Sequence, residues 1–348
     1  TSGPTSSGAG IPASQSTNAN VAVEIGDFNP AGGNQAQEFV RLRNTNTFAV
    51  DISGWKLSSA IDYTFPPGTV IPSGGGVSGN VGLLFVAKDP YAFRQRLLAP
   101  KSNQFCLVSG PYSGQLSARG ESVVLIDKLG RTINSASYIG APSLAQQFLR
   151  VTELMYNPAP FAGSTNDAQE FEFIELLNLS TTTTLNLQGI HFTNGITFAF
   201  TNSTLLAPQQ SLILARNPTA FVQRYGNSFN VAGPFTGYLD NGGERLTLLD
   251  AVNEEILDFS YNNSWYPITD GLGFSLVIAD EAAAPDAWDA KSNWRASGAL
   301  HGSPGGTDTV TPFAAIKVNE VLAHTDLPQV DSIELFNPTT NTVNIGGW

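Results

Sequence analysis

Glu38-Phe39-Val40-Arg41-Leu42-Arg43-Asn44 returns as Glu172-Phe173-Ile174-Glu175-Leu176-Leu177-Asn178 and again as Asp331-Ser332-Ile333-Glu334-Leu335-Phe336-Asn337. Each copy reads acid, any residue, β-branched, any residue, Leu, any residue, Asn. Apolar residues alternating at period two describe a strand with one buried and one partly solvated face. The closing Asn belongs where an Asx turn ends that strand. A glycine follows each copy at nearly constant distance, in Gly54-Trp55, Gly189-Ile190 and Gly347-Trp348, and a short strand with Glu24, Glu153 or Glu320 precedes each.

The first two copies stay in step far downstream. At an offset of 123 residues (233 − 110), Gly110-Pro111-Tyr112-Ser113-Gly114 parallels Gly233-Pro234-Phe235-Thr236-Gly237. Glu121, Asp127, Ser137 and Tyr138 parallel Glu244, Asp250, Ser260 and Tyr261 at the same offset. A fixed period of this kind marks repeated structural units. The spacing predicts a Ser/Thr/Gly-rich linker at 1–20, full modules at 21–148 and 149–306, a linker at 307–312, and the opening strands of a third module at 313–348. Trp348 falls where that module has barely begun. The parent polypeptide is therefore expected to continue beyond it, and a lone strand pair here is expected to be poorly ordered or to associate.

Asp89-Pro90 and Asn217-Pro218 each place an N-cap before a proline at the first helical position, and Gly226 is a natural stop. One short helix per module follows. Pro66-Pro67-Gly68, Gly130 and Asp240-Asn241-Gly242-Gly243 punctuate the remainder with turns, which suits sandwiches of two antiparallel sheets.

Composition narrows the function classes. The chain has 348 residues, room for about two domains at ~100–200 residues each. Lys and Arg number 17 against 29 Asp and Glu, a net charge of −12, so nucleic acid is disfavoured as a partner: few cations are available to release counterions. Cys106 is the one cysteine, which excludes an internal disulfide framework and cysteine-rich zinc sites. No apolar run reaches the ~18 residues of a membrane span. Charged residues are only 13%, against about 25% in an average globular protein, so Ser, Thr, Asn and Gln must supply surface polarity. Together with the opening TSGPTSSGAG, that composition points to an extracellular or cell-surface bacterial protein.

Phe39-Val40-Arg41-Leu42-Arg43-Asn44, Ser53-Gly54-Trp55 and Tyr63-Thr64-Phe65-Pro66-Pro67 together resemble the lamin tail domain. The second copy is similar to the bacterial branch of that family, through Phe173 to Asn178, Gly273-Phe274-Ser275-Leu276, Asn293-Trp294-Arg295-Ala296-Ser297 and Gly302-Ser303-Pro304-Gly305. The resemblance covers nearly everything after residue 20. It implies an all-β fold of tandem immunoglobulin-like β-sandwiches, and accessory or binding modules of large secreted or surface proteins in place of a catalytic activity. Ile190 and Arg41 depart from the pattern, standing where other copies have Trp and Glu.

A search for chemistry yields little. Glu24, Glu153 and Glu320, with Glu175 and Glu334, place carboxylates on neighbouring strands, as a hard cation would require. Arg41 breaks the second column in the first module, and the pattern favours acids bonded to backbone or arginine. His191, His301 and His324 have no metal-ligand or nucleophile-elbow spacing, and Cys106 lies in an apolar run that suits a buried thiol. No cofactor, metal or catalytic set emerges. Trp265 and Tyr266, beside Asn262-Asn263-Ser264, are the candidate binding residues, since aromatic rings on a loop tip can stack on sugars or insert into partners. Trp55 and Trp294 fit a core role. Arg41, Arg43, Arg94 and Arg96 are the one candidate basic patch. These readings predict a non-enzymatic spacer, adhesive or tethering array whose partner is a protein or surface polysaccharide. A carbohydrate-binding accessory module, or a lamin-like tail that binds nucleic acid or protein and is attached to a catalytic domain outside this chain, are the alternatives.

Overall fold

A computed structural model describes residues 19–74, 82–101, 104, 106–308, 316–326, 328, 330–340, 342–343 and 345. Segments 1–18 and 309–315, together with Gly347-Trp348, lie outside the described residues, and so do most of the two expected linkers.

In the first module, strand Val21–Asp27 pairs antiparallel with Phe39–Asn44, which pairs antiparallel with Leu83–Ala87. Val108–Ser109 adds to the far edge in parallel. A second sheet runs in the order Thr132–Ser137, Ser122–Ile126, Lys56–Ser59, Ile61–Thr64, Ser113–Gly114. Val40, Leu42 and Val86 from one sheet meet Leu57, Val123 and Leu125 from the other in a core that includes Trp55. The second module repeats this arrangement. Its first sheet contains Leu149–Met155, Phe173–Asn178 and Ser211–Ala215 with a parallel Val231–Ala232, and its second contains His191–Asn194, Arg245–Leu249 and Glu255–Ser260. The chain is thus a tandem of immunoglobulin-like β-sandwiches.

A parallel neighbour cannot be reached by a hairpin and needs a crossover. Helices Pro90–Arg94 and Pro218–Tyr225 lie in those two crossovers, capped as expected by Asp89 and Asn217. Each helix lays a phenylalanine on the outer face of the first sheet: Phe93 against Phe39 and Phe85, and Phe221 against Phe173 and Ile213. The helix covers the Phe39 end of the second face, while Arg41 and Arg43 keep the expected partial solvation; in the second module that face is buried at Phe173 and Glu175 and partly solvated at Leu177. A further short helix, Leu144–Phe148, was not anticipated; Ser143 and Gln146 form a capping box at its start.

The recurring Asn does more than turn the chain. Asn178 is fully buried, and its Nδ2 donates to the carbonyls of Thr183 (2.8 Å), Leu206 (3.0 Å) and Ala207 (3.1 Å). Asn44 does the same to Phe48, Ile71 and Pro72. Each amide therefore ties a sheet strand to the small ribbon that carries the chain toward the other sheet, Val50–Asp51 with Val70–Ile71 or Leu185–Asn186 with Leu205–Leu206. Just beyond, Gly54 and Gly189 adopt φ of +75° and +84°, which favours glycine. At Gly189 a Cβ would also meet Ala251 at 2.6 Å.

The second sandwich is larger. Leu276–Ile278 and Trp294–Ala296 extend its first sheet beyond Leu149–Met155. Its contacts run two residues into the expected linker: Asp308 accepts from Arg295 (2.6 Å), Gly298 N (3.0 Å) and Ser303 Oγ (2.6 Å).

Lys317–Leu322 and Ser332–Phe336 form an antiparallel hairpin with the register of the second module's opening strands. Both pairs carry a bulge one residue before the strand glutamate. There Thr152 donates to Glu175 and Asn319 donates to Glu334, each at 2.6 Å. Val318, Val321, Ile333 and Leu335 are exposed, whereas their counterparts Val151, Leu154, Ile174 and Leu176 are core.

Asn178→Ala leaves the buried Leu206 carbonyl and the partly buried Thr183 carbonyl without this donor, so a loss on the order of 2–3 kcal/mol is expected in urea unfolding; a change below about 1 kcal/mol, the net value of one ordinary hydrogen bond, would deny it the clamp role. Deleting 313–348 should leave the melting of the second sandwich unchanged and reduce self-association by analytical ultracentrifugation. A fall of the melting temperature by several degrees would make the tail part of that fold.

Candidate functional site

The repeated acids are committed to structure. Glu24 is bracketed by Arg41 and Arg43, with Arg43 Nε 2.6 Å from its Oε1. In the second module, where Glu175 replaces Arg41, the acids hold a closing turn instead. Glu153 accepts from Ser275 Oγ and from Ser303 N at 2.9 Å, and Glu175 accepts from Thr152 and from Gly305 N. Among the described residues no group of three His, Cys, Asp or Glu side chains is arranged to hold a metal ion.

In the two full modules the first acid of the motif is more deeply placed than its strand position suggested. Glu38 and Glu172 are fully buried. Glu38 accepts from Tyr112 OH at 2.9 Å and Leu116 N at 3.2 Å, and Glu172 accepts from Leu239 N at 3.0 Å. In each carboxyl one oxygen, Oε2 of Glu38 and Oε1 of Glu172, finds no partner. Burial pushes Glu38 up to about 7, against the pull of Lys88 3.5 Å away, and Glu172 up to about 8.

The basic patch is occupied from within the chain. Besides the pairing of Arg41 and Arg43 with Glu24, Arg94 donates to the Cys106 carbonyl, and Arg96 donates to the Gln37 carbonyl and to Asp27. Cys106 itself is buried, and burial raises its thiol. The histidines fall in three separate elements: His191 at a strand start, His301 in the closing turn, His324 beside the tail hairpin.

Trp265 and Tyr266 are half-buried and pack against the second core. Tyr266 OH donates to the Trp294 carbonyl at 2.7 Å, and Lys291 Nζ lies 5.5 Å from its ring centre. Trp294 and Trp288 are buried, with Trp294 Nε1 donating to Trp288 O and Trp288 Nε1 to Val151 O. Trp55 is buried as expected.

The turn at Asp240–Glu244 is closed by its own acid. Glu244 accepts from Asp240 N, and Tyr261 OH caps the Asp240 carbonyl; Glu121, Ser117 and Tyr138 repeat both bonds in the first module. The first-module turn also carries a contact that sequence reasoning missed. Ala118 N donates to Glu254 of the second module at 3.2 Å, Gln115 Nε2 donates to the same carboxyl at 2.7 Å, and Arg119 reaches the carbonyls of Gln146 (3.0 Å) and Ile256 (2.8 Å). Beside this joint opens a cleft of about 840 Å³, whose walls include Glu121, Glu255, Asp258, Asp286 and Asp289. The signal was present in the repeat: at the offset of 123, Glu254 replaces Arg131 and Arg119 faces Gly242.

The buried acids give a pH dependence of definite sign. Glu172 folds with a pKa near 8 against 4.5 for an unperturbed carboxyl, so between those values the folded state binds more protons than the unfolded. Its contribution is complete below about pH 4.5 and is lost as pH rises through 8. The melting temperature should therefore fall from pH 5 to 8.5, and Glu172→Gln should fall less steeply. Parallel profiles for the two proteins would show that Glu172 does not titrate in this window.

The Lamin Tail Domain family matches residues 16–140 and again 142–263. No curated protein matches. A solved structure, "Crystal structure of the S-layer protein SbsC, domains 7, 8 and 9", is 12% identical, with 69% of this chain and 59% of that chain covered and a TM-score of 0.16, a likeness too slight to carry argument. The chain thus spans less than two thirds of that structure's length. Two family matches in register with two sandwiches cover more than half of the sequence, and the chain belongs to the lamin tail domain family.

Proposed function

We propose that this chain is a non-enzymatic array of lamin tail sandwiches serving as a spacer, adhesive or tethering region of a larger secreted or surface bacterial protein. One observation carries this reading: in both modules the recurring carboxylates and the adjoining arginines are bonded to backbone, to one another or to the chain's own turns, so the repeated chemistry maintains the fold. The family itself is a non-catalytic immunoglobulin-like domain, and among the described residues no helix is long and apolar enough to cross a membrane. The boundaries 21–148 and 149–306 are part of the proposal, with Asp308 assigned to the second module.

Partner contact is proposed for Trp265 and Tyr266, whose rings keep part of their surface open, with a protein or surface polysaccharide as ligand. The carbohydrate reading calls for a fully exposed aromatic strip, and a half-buried pair with its hydroxyl bonded gives it no added support. Nucleic acid is disfavoured by the charge of −12 and by the commitment of all four candidate arginines.

Protease treatment of intact producing cells, followed by immunoblotting, should cleave the protein while a cytoplasmic marker survives. Protection until the cells are lysed would overturn the surface assignment.

A further inference from the structure

Relative motion of neighbouring domains is the ordinary expectation unless their interface is extensive and apolar. This joint is polar, yet its central groups are buried. Glu254 is 3% exposed and Ala118 equally so. The turn that presents Glu254 is stiffened by Asp250, whose Oδ1 accepts from Val252 N and Glu254 N at 3.0 Å each. Gln146, in the connecting helix, donates to the Glu255 carbonyl at 3.0 Å. Opposite, Lys88 donates to Gln115 Oε1 at 3.1 Å, which orients the Gln115 amide toward Glu254.

We propose that Glu254 is a pH-sensitive clasp between the two sandwiches, closed while its carboxyl is neutral and loosened as it ionises.

The charged groups around it set the sign. From the first sandwich, Lys88 and Arg119 favour the carboxylate; from its own element, Asp250 and Glu255 oppose it. Tyr138 also faces it from the first sandwich. Burial dominates and raises the Glu254 carboxyl above its ordinary value, with Ala118 N and Gln115 offsetting in part. Undocking would return the side chain to water and restore the ordinary value. The docked state therefore binds the proton more tightly, and docking weakens as pH rises. The inference is independent of what the array tethers.

The test uses the full chain with spin labels at Pro67→Cys and Ser203→Cys, both exposed and one on each sandwich. Inter-label distances are read by double electron–electron resonance at pH 5 and pH 8.5. The parent should give a narrow distribution at pH 5 and a broadened one at pH 8.5, while Glu254→Gln stays narrow at both. Arg119→Ala, which removes the bond to the Ile256 carbonyl across the joint, a bond to the connecting helix and a cation near Glu254, should broaden at both. Gln115→Ala, which removes a bond to Glu254 across the joint, should broaden at a lower pH than the parent when intermediate pH values are added. A parent distribution unchanged between the two pH values, or a Glu254→Gln variant that broadens in parallel with it, overturns the clasp. Overall melting does not substitute for this readout, because burial also raises the carboxyls of Glu38, Glu153 and Glu172, which should make global stability fall with pH as well.

Discussion

Where strand Phe39–Asn44 or Phe173–Asn178 runs out, the chain must leave one sheet and begin its passage to the other, and a single side-chain amide governs that departure. The Nδ2 of Asn44 or Asn178 lies within bonding distance of three backbone carbonyls on segments up to 29 residues away. In each set one carbonyl, that of Ile71 or Leu206, is buried and the others are partly so, and pairing the buried one favours packing the two sheets. Asp is not equivalent, having no N–H to give, and Gln would need a longer reach. The spacing to Gly54 and Gly189, the short ribbons and the entry of Trp55 or Ile190 into the core all follow from the direction this amide imposes.

The same economy of backbone bonding explains the acids. In a chain with one Met and few charges, carboxylates are used where several amides converge. Glu121 and Glu244 cap equivalent turns, Glu153 and Glu175 hold the turn at Ser303 to Gly305, and Glu38 and Glu172 reach across the core to the segment before the second sheet. The burial that makes these bonds strong also raises the carboxyl pKa values, so one device supplies both cohesion and pH sensitivity.

How much of this could be read in advance depended on whether the copies agree. Features present in both copies were legible: the strand register, the terminal Asn, the positive-φ glycine and the Asp89-Pro90 or Asn217-Pro218 helix start. The depth of Glu38 and Glu172 was not, because periodicity reports which face a residue occupies and says nothing of an amide arriving from 67 or 78 residues downstream. The helix Leu144–Phe148 spans too few residues to show an apolar period, although its Ser143 and Gln146 are a start signal. The joint lay in the places where copies disagree, at Gln115 against Tyr238, Arg119 against Gly242 and Glu254 against Arg131. Positions that break a repeat are where one copy has acquired a contact the other lacks.

The closing turn of the second sandwich also imposes an order on synthesis. Its first strands carry Glu153 and Glu175, but the amides of Ser303 and Gly305 that answer them come 150 and 130 residues later. A ribosome delivers the chain from the N-terminus, and contacts of such separation form only after the distant partner has emerged. The first sandwich, whose sheets are complete by Ser137, can present the turn at Ala118 and Arg119 while the second is still without its edge strands. Glu254 is synthesised before Asp308, so the finished half of the molecule is available as a surface against which the unfinished half can assemble.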